Sequence, residues 1–476
     1  MKVEAILMMF PCIVAIIYGE SEGLSYLITL AICGIFGYIT TIKKPTSNIF
    51  YLKEGCVATS LSWIVLSLFG CLPFIISGEI PSFTDALFET VSGFTTTGAS
   101  ILTNVEALSK CSLFWRSFTH WVGGMGILVF LLAIIPLSGG SNINLMRAES
   151  PGPSVGKFVP KIRYTARLLY VIYIVLTFIE IALLMLGKMP VFDAFTTSFG
   201  TAGTGGFGIK NDSMMSYSPY IQWIVTIFMI LFGVNFNAYY LIFMRQFKKA
   251  FKIEEIRYYF LIIFVAIGII FSEMYNTAAG IFTTLRHASF QVASIITTTG
   301  FATADFNKWT QASKTILVFL MFIGACAGST GGGIKVSRIA IMIKTIIKEL
   351  TSYIHPKSVK KIKVDGKPIE HDVVRSINVY LITFIIIFSA SIFALSFEEK
   401  DLVTNFTAVA ATINNIGPGL ELVGPTGNFS VFGHFSKFVL IFDMIAGRLE
   451  LFPLLILFHP RVWGDLIHSR KKFRRT

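Results

Sequence analysis

Charged side chains are scarce in this sequence. Only 14% of its 476 residues are Asp, Glu, Lys or Arg, whereas a soluble domain usually carries about a quarter. Hydrophobic residues make up 54% of the chain, 45 residues are phenylalanine, and the mean hydropathy is +0.70. This balance excludes an ordinary soluble domain and predicts a multi-pass membrane protein.

The sequence also lacks the motifs of metal, nucleotide and disulfide sites. No C-x-x-C pair occurs among its six cysteines, and no histidine stands at metal-ligand spacing from a cysteine or carboxylate. The segment GSTGGGIK at 328–335 is glycine-rich but departs from the G-x-x-x-x-G-K-[ST] pattern of a phosphate-binding loop. We find no nucleophile–base pair in the apolar runs. These absences predict that the chain is not an enzyme and holds no organic cofactor.

The net charge of +13 does not indicate a nucleic-acid partner, because the basic residues lie beside apolar runs. Most of the 40 lysines and arginines fall at the N-terminus, in the C-terminal tail, or in the segments 43–53, 147–167, 245–257 and 335–375. Loops rich in Lys and Arg stay on the cytoplasmic side of a membrane. We therefore predict that both termini are cytoplasmic.

One pattern occurs four times after an N-terminal pair of apolar runs at 5–18 and 24–42. Each unit has a long apolar run, a short amphipathic stretch, a glycine-containing turn and a second apolar run. The first runs are 55–76, 168–186, 258–271 and 379–397; the short stretches are 85–94, from 193, 288–296 and 403–413; the second runs are 114–137, 221–244, from 315, and 438–458. Such an internal repeat predicts equivalent structural units.

These patterns predict an all-α polytopic membrane protein. Four pseudo-symmetric helix–pore loop–helix repeats would surround a central pore, with an N-terminal two-helix hairpin beside them. We assign the hairpin to residues 1–44 and the repeats to 45–164, 165–256, 257–372 and 373–476. The third repeat contains an intramembrane gating segment, and the fourth ends in the basic tail.

The four turns are the candidate functional site. They read TTTG at 95–98, TGG at 204–206, TTTG at 297–300 and NNIG at 414–417, and the charge rule places them all toward the outer side. Irregular backbone at membrane depth is tolerated where it lines a water-filled path, and its oxygens can replace part of a cation's hydration shell. A half-helix before each turn would direct its partly negative C-terminus there. Because no turn carries Asp or Glu, we predict a monovalent cation.

Two polar features interrupt the later apolar runs. The glycines of GSTGGG at 328–333 each cost roughly 1 kcal/mol relative to alanine in a helix. This segment is therefore either a tight helix crossing or a gate below the four turns. Arg448 lies within the last run, where an ionised group costs at least ~2.5 kcal/mol. Either Glu450 pairs with it, or its charge faces the ion path. We expect Glu89, on the first short stretch, to brace its turn by hydrogen bonding.

Several motifs resemble the bacterial Trk/Ktr potassium-uptake superfamily, and within it the Trk-type pore-forming subunit. They are TTTGAS at 95–100, TGGF at 204–207, TTTGFA at 297–302, NNIGPG at 414–419, RAESPGP at 147–153 and GACAGSTGGGIKVSR at 324–338. The resemblance spans essentially the whole chain. It implies a potassium-conducting pore in the bacterial inner membrane, working as a homodimer with a cytoplasmic, nucleotide-binding regulatory subunit of the TrkA type.

The resemblance also implies the site residues. The potassium filter would be formed by Thr96, Thr97, Gly98, Thr204, Gly205, Gly206, Thr298, Thr299, Gly300, Asn415, Ile416 and Gly417. Gating would involve Gly328, Ser329, Thr330, Gly331, Gly332, Gly333, Lys335 and Arg448. In the second turn, Gly203 competes with Gly206 for the filter position.

Two further questions stay open on the sequence. A secondary transporter usually shows inverted halves, whereas these repeats are parallel, yet a cation-coupled potassium transporter on the same scaffold remains the alternative. The basic loops at 147–167 and 357–375 either contact the lipid headgroups of the bilayer or dock the regulatory subunit.

Overall fold

The computed structural model describes residues 1–42, 52–124, 126, 162–275, 280–356 and 361–464. Helices form nearly all of the regular structure in this part of the chain, whose only strands, β1 (Lys363–Val364) and β2 (Lys367–Pro368), pair in antiparallel fashion. The predicted all-α class is confirmed. The motif RAESPGP and the basic tail beyond residue 464 lie outside the described residues.

The helices follow the order expected of an N-terminal hairpin and four similar units. The hairpin consists of α1 (Lys2–Tyr18) and α2 (Gly23–Thr41). The first helices of the units are α3 (Leu52–Gly70) with α4 (Leu72–Ser77), α7 (Ile162–Leu186), α12 (Glu254–Met274) and α16 (His371–Leu395). The half-helices are α5 (Phe83–Phe94), α8 (Val191–Gly203), α13 (Ile281–Ile296) and α17 (Leu402–Ile413).

The second helices of the units are α6 (Lys110–Gly124), α9 (Pro219–Phe232) with α10 (Phe236–Phe243), α14 (Gln311–Phe322) with α15 (Val336–Ile354), and α18 (His434–Arg448). Two short helices, α11 (Phe247–Phe251) and α19 (Phe452–Leu455), lie after α10 and α18. Single 3-10 turns lie at Val105–Ala107, Phe306–Lys308, Ser396–Glu398, Glu421–Val423, Phe429–Val431 and Ile456–Phe458.

Five segments within the described residues are long and apolar enough to cross a membrane. They are Gly23–Thr41, Leu52–Ser77, Arg167–Leu186, Glu254–Met274 and His371–Glu398, and the bent pair α9–α10 would make a sixth. Their outer faces expose large apolar side chains, including Ile35, Phe264 and Ile386. An exposed apolar belt of this kind suits contact with lipid.

The half-helices are enclosed by the longer helices. In α5, every residue from Ala86 to Phe94 is buried, and in α17 so is every residue from Thr407 to Ile413. Side-chain caps stabilise the N-termini of two of these helices. The Ser82 hydroxyl accepts the amide of Asp85, and a carboxylate oxygen of Asp401 accepts the amide of Thr404 at 2.8 Å. Short, buried helices of this kind can bring four turns to the middle of the protein.

Two predicted continuous spans are broken in the structure. The run at 221–244 divides at residues 233–235, and α9 and α10 meet at 90°. Backbone groups freed by this break bond to the glycine-rich segment, since the amide of Phe236 donates to the carbonyl of Gly328 and the amide of Cys326 to that of Gly233. The run at 438–458 ends as helix at Arg448, after which Glu450 and Leu451 have positive φ.

The N-terminal hairpin packs against the first unit. The carboxylate of Glu20 accepts the amides of Lys110 and Cys111 at 2.6 and 2.8 Å, so it caps the start of α6. The hydroxyl of Tyr26 on α2 lies 2.9 Å from that of Ser112. Deeper in the protein, α1 buries Leu7 and Met8 in the core shared with α5 and α6.

Candidate functional site

The four turns have the same backbone conformation. Each half-helix is followed by a residue with left-handed φ and, two positions later, by a glycine with positive φ. The left-handed residues are Thr96 (56°), Thr204 (53°), Thr298 (59°) and Asn415 (55°), and the glycines are Gly98 (77°), Gly206 (77°), Gly300 (89°) and Gly417 (100°). We call residues 96–98, 204–206, 298–300 and 415–417 pore turns 1 to 4.

Hydrogen bonds close each pore turn in the same way. The middle residue donates its amide to the carbonyl five residues back, as Thr97 does to Ser92 at 2.9 Å and Ile416 to Ala411 at 2.8 Å. This is the bond that ends a helix at a left-handed residue. Gly203 is the last residue of α8, whereas Gly206 takes the same conformation as the other turn glycines. The backbone therefore places Gly206, and not Gly203, in the equivalent position.

The pore turns form a closed ring. A Cβ atom on each turn glycine would run into the carbonyl oxygen of the middle residue in the next turn. Gly98 faces the carbonyl of Gly205, Gly206 that of Thr299, Gly300 that of Ile416, and Gly417 that of Thr97. The sequence order of the four turns is thus their order around one axis. Glycine is required on two counts, since φ is positive and no space is left for a side chain.

The turn carbonyls are unpaired, and those of the middle residues are buried. Among the described residues, no donor hydrogen-bonds to a main-chain carbonyl of any pore turn. Thr97, Thr299 and Ile416 are fully buried, whereas Gly98 and Gly206 are partly exposed. Buried carbonyls normally have a partner, so a stack of them around one axis is suited to a cation or to water.

The threonine hydroxyls brace the turns. In turn 1 the hydroxyls of Thr95 and Thr97 lie 2.8 Å apart, and in turn 3 those of Thr297 and Thr299 are equally close. The side-chain amide of Asn415 in turn 4 donates to the hydroxyl of Thr97 at 2.9 Å. Turns 1 and 4 are therefore joined through their side chains as well as by backbone packing.

A buried ion pair supports turn 1. Glu89 on α5 pairs with Arg116 on α6 at 2.7 Å and also accepts the hydroxyl of Ser100 and the amide of Ile101 at 3.0 Å each. The structure therefore agrees with the expected bracing role of Glu89. His120 links α5 to the residue after turn 2, because its imidazole nitrogens lie 2.9 Å from the carbonyl of Gly93 and 3.3 Å from the amide of Phe207.

The glycine-rich segment lies directly against turns 3 and 4. We define residues 323–335 as the intramembrane loop, which is closed by a bond from the amide of Gly324 to the carbonyl of Ile334 at 2.7 Å. The amide of Gly332 donates to the hydroxyl of Thr298 at 2.7 Å. A Cβ on Gly332 would lie 2.6 Å from the carbonyl oxygen of Asn414. Only glycine allows this close approach, so the contact fixes where the segment packs against turns 3 and 4.

Lys335 closes the loop from within. Its ammonium group donates to the carbonyl of Gly332 at 3.0 Å and also to that of Gly331. The hydroxyl of Ser329 donates to the carbonyl of Cys326, and that of Thr330 to the carbonyl of Phe232. Apart from Arg448, the gating residues predicted from the sequence are therefore neighbours in one compact loop.

Arg448 joins the loop to turn 1. Its guanidinium donates to the hydroxyl of Thr96 at 3.1 Å and to the carbonyl of Thr330 at 2.9 Å. It also donates to the carbonyls of Gly123 and Gly124 at the end of α6. Of the two alternatives for Arg448, pairing with Glu450 is not what the structure shows, because Glu450 forms its ion pair with Arg338.

Sequence reasoning missed several residues that hold the site together. Sequence reasoning does not assign Arg338, Arg116 or His120, nor Glu255, which accepts the amide of Ala327 in the intramembrane loop, nor Asn235, whose side-chain amide faces Glu255. A weak signal existed for the charged ones, since an ionisable residue near membrane depth needs a partner. Their partners are distant in sequence, so the pairings could not be read from it.

Comparison with known proteins agrees with this architecture. The family model TrkH, described as cation transport protein, matches residues 23–464. The Trk system potassium uptake proteins TrkH of Salmonella typhimurium and Escherichia coli K12 are each 36% identical to the chain, and each match covers 96% of both sequences. The crystal structure of the potassium transporter TrkH from Vibrio parahaemolyticus superposes with a TM-score of 0.87 at 33% identity and covers 97% of both chains. The chain therefore belongs to the TrkH family of cation transport proteins.

Proposed function

We propose that this chain takes up potassium ions across the bacterial inner membrane through a gated pore whose filter is the ring of pore turns. The observation that carries the proposal is the closed ring itself, in which four equivalent turns present unpaired, buried carbonyls around one axis. The names of the relatives, Trk system potassium uptake protein, supply the ion.

The ring suits a dehydrated monovalent cation. Carbonyl oxygens replace the hydration shell, and the C-terminal ends of α5, α8, α13 and α17 add partial negative charge. Only neutral residues form the pore turns, so no fixed carboxylate would hold a divalent ion too tightly to leave. The filter residues are those of pore turns 1 to 4.

The intramembrane loop and Arg448 form the gate of this proposal. The loop lies against turns 3 and 4, and Arg448 ties it to turn 1. A positive charge beside the filter repels a resting cation and thereby limits flux while the loop is in place. Opening requires the loop to leave these contacts. Gly328 to Gly333, Lys335 and Arg448 are the gating residues.

The experiment is potassium-uptake rescue in a bacterium that lacks its own uptake systems, followed by flux into vesicles that contain the purified protein. Wild type is expected to restore growth at low potassium, and Gly98→Asp to abolish the rescue. Failure of wild type to restore growth, or restored sodium flux alone, contradicts the proposal. Potassium accumulation that requires a proton or sodium gradient across the vesicle would instead select the coupled-transporter alternative.

We infer a homodimer with a cytoplasmic, nucleotide-binding TrkA-type subunit, and both termini in the cytoplasm. The word "system" in the relatives' names supports further components, and the basic segments support the orientation. Mass measurement of the purified complex in detergent, with and without a co-expressed candidate subunit, tests the stoichiometry.

A further inference from the structure

The intramembrane loop is anchored by a carboxylate that the filter and gate assignments leave out. Glu255 is the second residue of α12 and is only 8% exposed. One of its carboxylate oxygens accepts the amide of Ala327 at 2.7 Å and the amide of Ser337 at 3.1 Å. These two residues stand on opposite sides of the glycine-rich stretch 328–333.

This geometry fixes both flanks of the glycine stretch, and with them the loop, to one point. Ala327 enters the glycine stretch, and Ser337 lies in the first turn of α15, which leaves it. A carboxylate at a helix N-terminus is favoured by the free amides and the helix dipole there. The second carboxylate oxygen faces the side-chain amide of Asn235, at the break between α9 and α10. Bonds between a charged group and amides are about twice as strong as neutral ones.

We propose that Glu255 is a positioning residue that holds the intramembrane loop beneath the pore turns by clamping both of its flanks. This inference rests on the proposed function, since it names what keeps the gate in place. It assigns no contact with the ion to Glu255. Release of the carboxylate frees both flanks together, so the loop can leave turns 3 and 4 as a unit.

The β1–β2 hairpin, which lies within the basic segment 335–375, holds the N-terminus of α12 and therefore Glu255. Asp365 and Gly366 form the tight turn of the β1–β2 hairpin, and a carboxylate oxygen of Asp365 accepts the amide of Glu254 at 2.8 Å. Lys344 on α15 pairs with Glu254 and donates to the carbonyl of Lys363 at 2.7 Å. The hairpin therefore sets the position of the first turn of α12, which carries Glu255. A partner bound at the hairpin would act on the loop through this contact.

Native Cys326 reports the position of the loop. It lies in the loop, is fully buried and donates its amide to Gly233. We would measure potassium flux in vesicles and, on the same samples, modification of Cys326 by a water-soluble maleimide, located by mass spectrometry. Glu255→Ala is expected to raise both about tenfold, the factor for one lost charge-assisted hydrogen bond. Glu273→Ala is the matched control, because Glu273 is an exposed carboxylate near the other end of the same helix.

Two conservative variants separate positioning from charge. Glu255→Gln keeps the chain length and an oxygen that can accept both amides but loses the charge, so its flux and its modification of Cys326 should fall between those of wild type and Glu255→Ala. Glu255→Asp keeps the charge but is too short to span both flanks, so it should behave like the alanine variant. If Glu255→Ala is not recovered from membranes, the Gln and Asp variants carry the test alone. The proposal is overturned if potassium flux and modification of Cys326 stay at the wild-type level in Glu255→Asp but rise in Glu255→Gln.

The inference and the proposed function fail in different ways. If wild type carries no potassium, the proposed function fails, while the modification of Cys326 still tests the clamp. If wild type conducts but Glu255→Ala matches Glu273→Ala in both flux and modification, the clamp is overturned and the pore stands. Asp365→Ala should raise modification of Cys326 in the same direction but by less, and no change there overturns the link to the hairpin.

Discussion

At the scale of single residues, the turn glycines satisfy two structural requirements, of which the sequence motif indicates only one. A glycine in a turn indicates an unusual backbone angle, and φ is positive at all four turn glycines. The second demand, the carbonyl of the neighbouring turn at the place of a Cβ, involves residues in a different unit, far away in the sequence. That contact exists only after folding, so no local pattern could have predicted it.

Replacing Gly98 by alanine separates these two demands. Gly78 has nearly the same φ, 79° against 77°, but no atom lies within 4 Å of the place where its Cβ would be. Gly78→Ala should therefore cost only the left-handed backbone penalty of about 1–2 kcal/mol. Gly98→Ala should in addition displace the carbonyl of Gly205 and lower potassium flux at least about tenfold, as a barrier increase of ~1.4 kcal/mol would. Flux into vesicles at matched protein content measures the difference, and equal flux in the two variants would contradict the ring.

Arg448 offers a second test at this scale. Its guanidinium bonds to turn 1, to the loop and to the end of α6, and alanine removes all of these contacts together with the charge. If Arg448 limits flux, Arg448→Ala should raise potassium flux about tenfold, the factor for one charge-assisted bond lost from the closed state. Arg448→Lys keeps the charge but not the planar fork of donors, so it should fall between alanine and wild type. Reduced flux in a variant of normal stability would indicate a supporting role instead.

At the scale of helices, the sequence predicted the half-helices well and the broken spans poorly. The stretches 85–94 and 403–413 are helical within α5 and α17, because their amphipathic spacing and capping residues are local signals. The break at 233–235 lies in a run predicted as one continuous span, although Gly233 and Asn235 interrupt its apolar residues. It is stabilised by the intramembrane loop, which comes from the third unit. Contacts between units therefore stabilise this break, which composition alone does not predict.

The intramembrane loop can be tested as an element. Deleting residues 331–333 removes the bond from Gly332 to Thr298 and shortens the span that Gly324 and Ile334 close. Each lost bond weakens the closed position by about 1 kcal/mol, so potassium flux should rise about tenfold or more. Replacing the same three glycines by alanine keeps the length but collides with Ala325 and Asn414, and it should raise flux as well. Unchanged flux in both variants would show that the loop does not gate.

At the scale of the whole molecule, all four units are needed to form the ring of pore turns. Each turn glycine packs on the next turn, so the last turn, in the fourth unit, closes on the first. The fourfold repeat in the sequence predicted equivalent units, and the all-α fold with its apolar spans agrees. The order around the axis, and the choice of Gly206 over Gly203, came only from the structure. The four turns also differ in sequence, so the ring is not chemically symmetric.

A ring that binds potassium should be stabilised by potassium. The unpaired carbonyls of the pore turns repel one another when no cation lies between them, and a ligand that binds only the folded state adds about 2.7 kcal/mol at a hundred times its Kd. The melting temperature of the purified protein should therefore rise by a few degrees in potassium, and by less in sodium or in an organic cation too large for the ring, at equal ionic strength. Gly78→Ala should keep this difference, because its site is remote from the ring, and Gly98→Ala should lose it. Equal melting temperatures in all three salts would mean that the ring does not bind potassium in the folded protein.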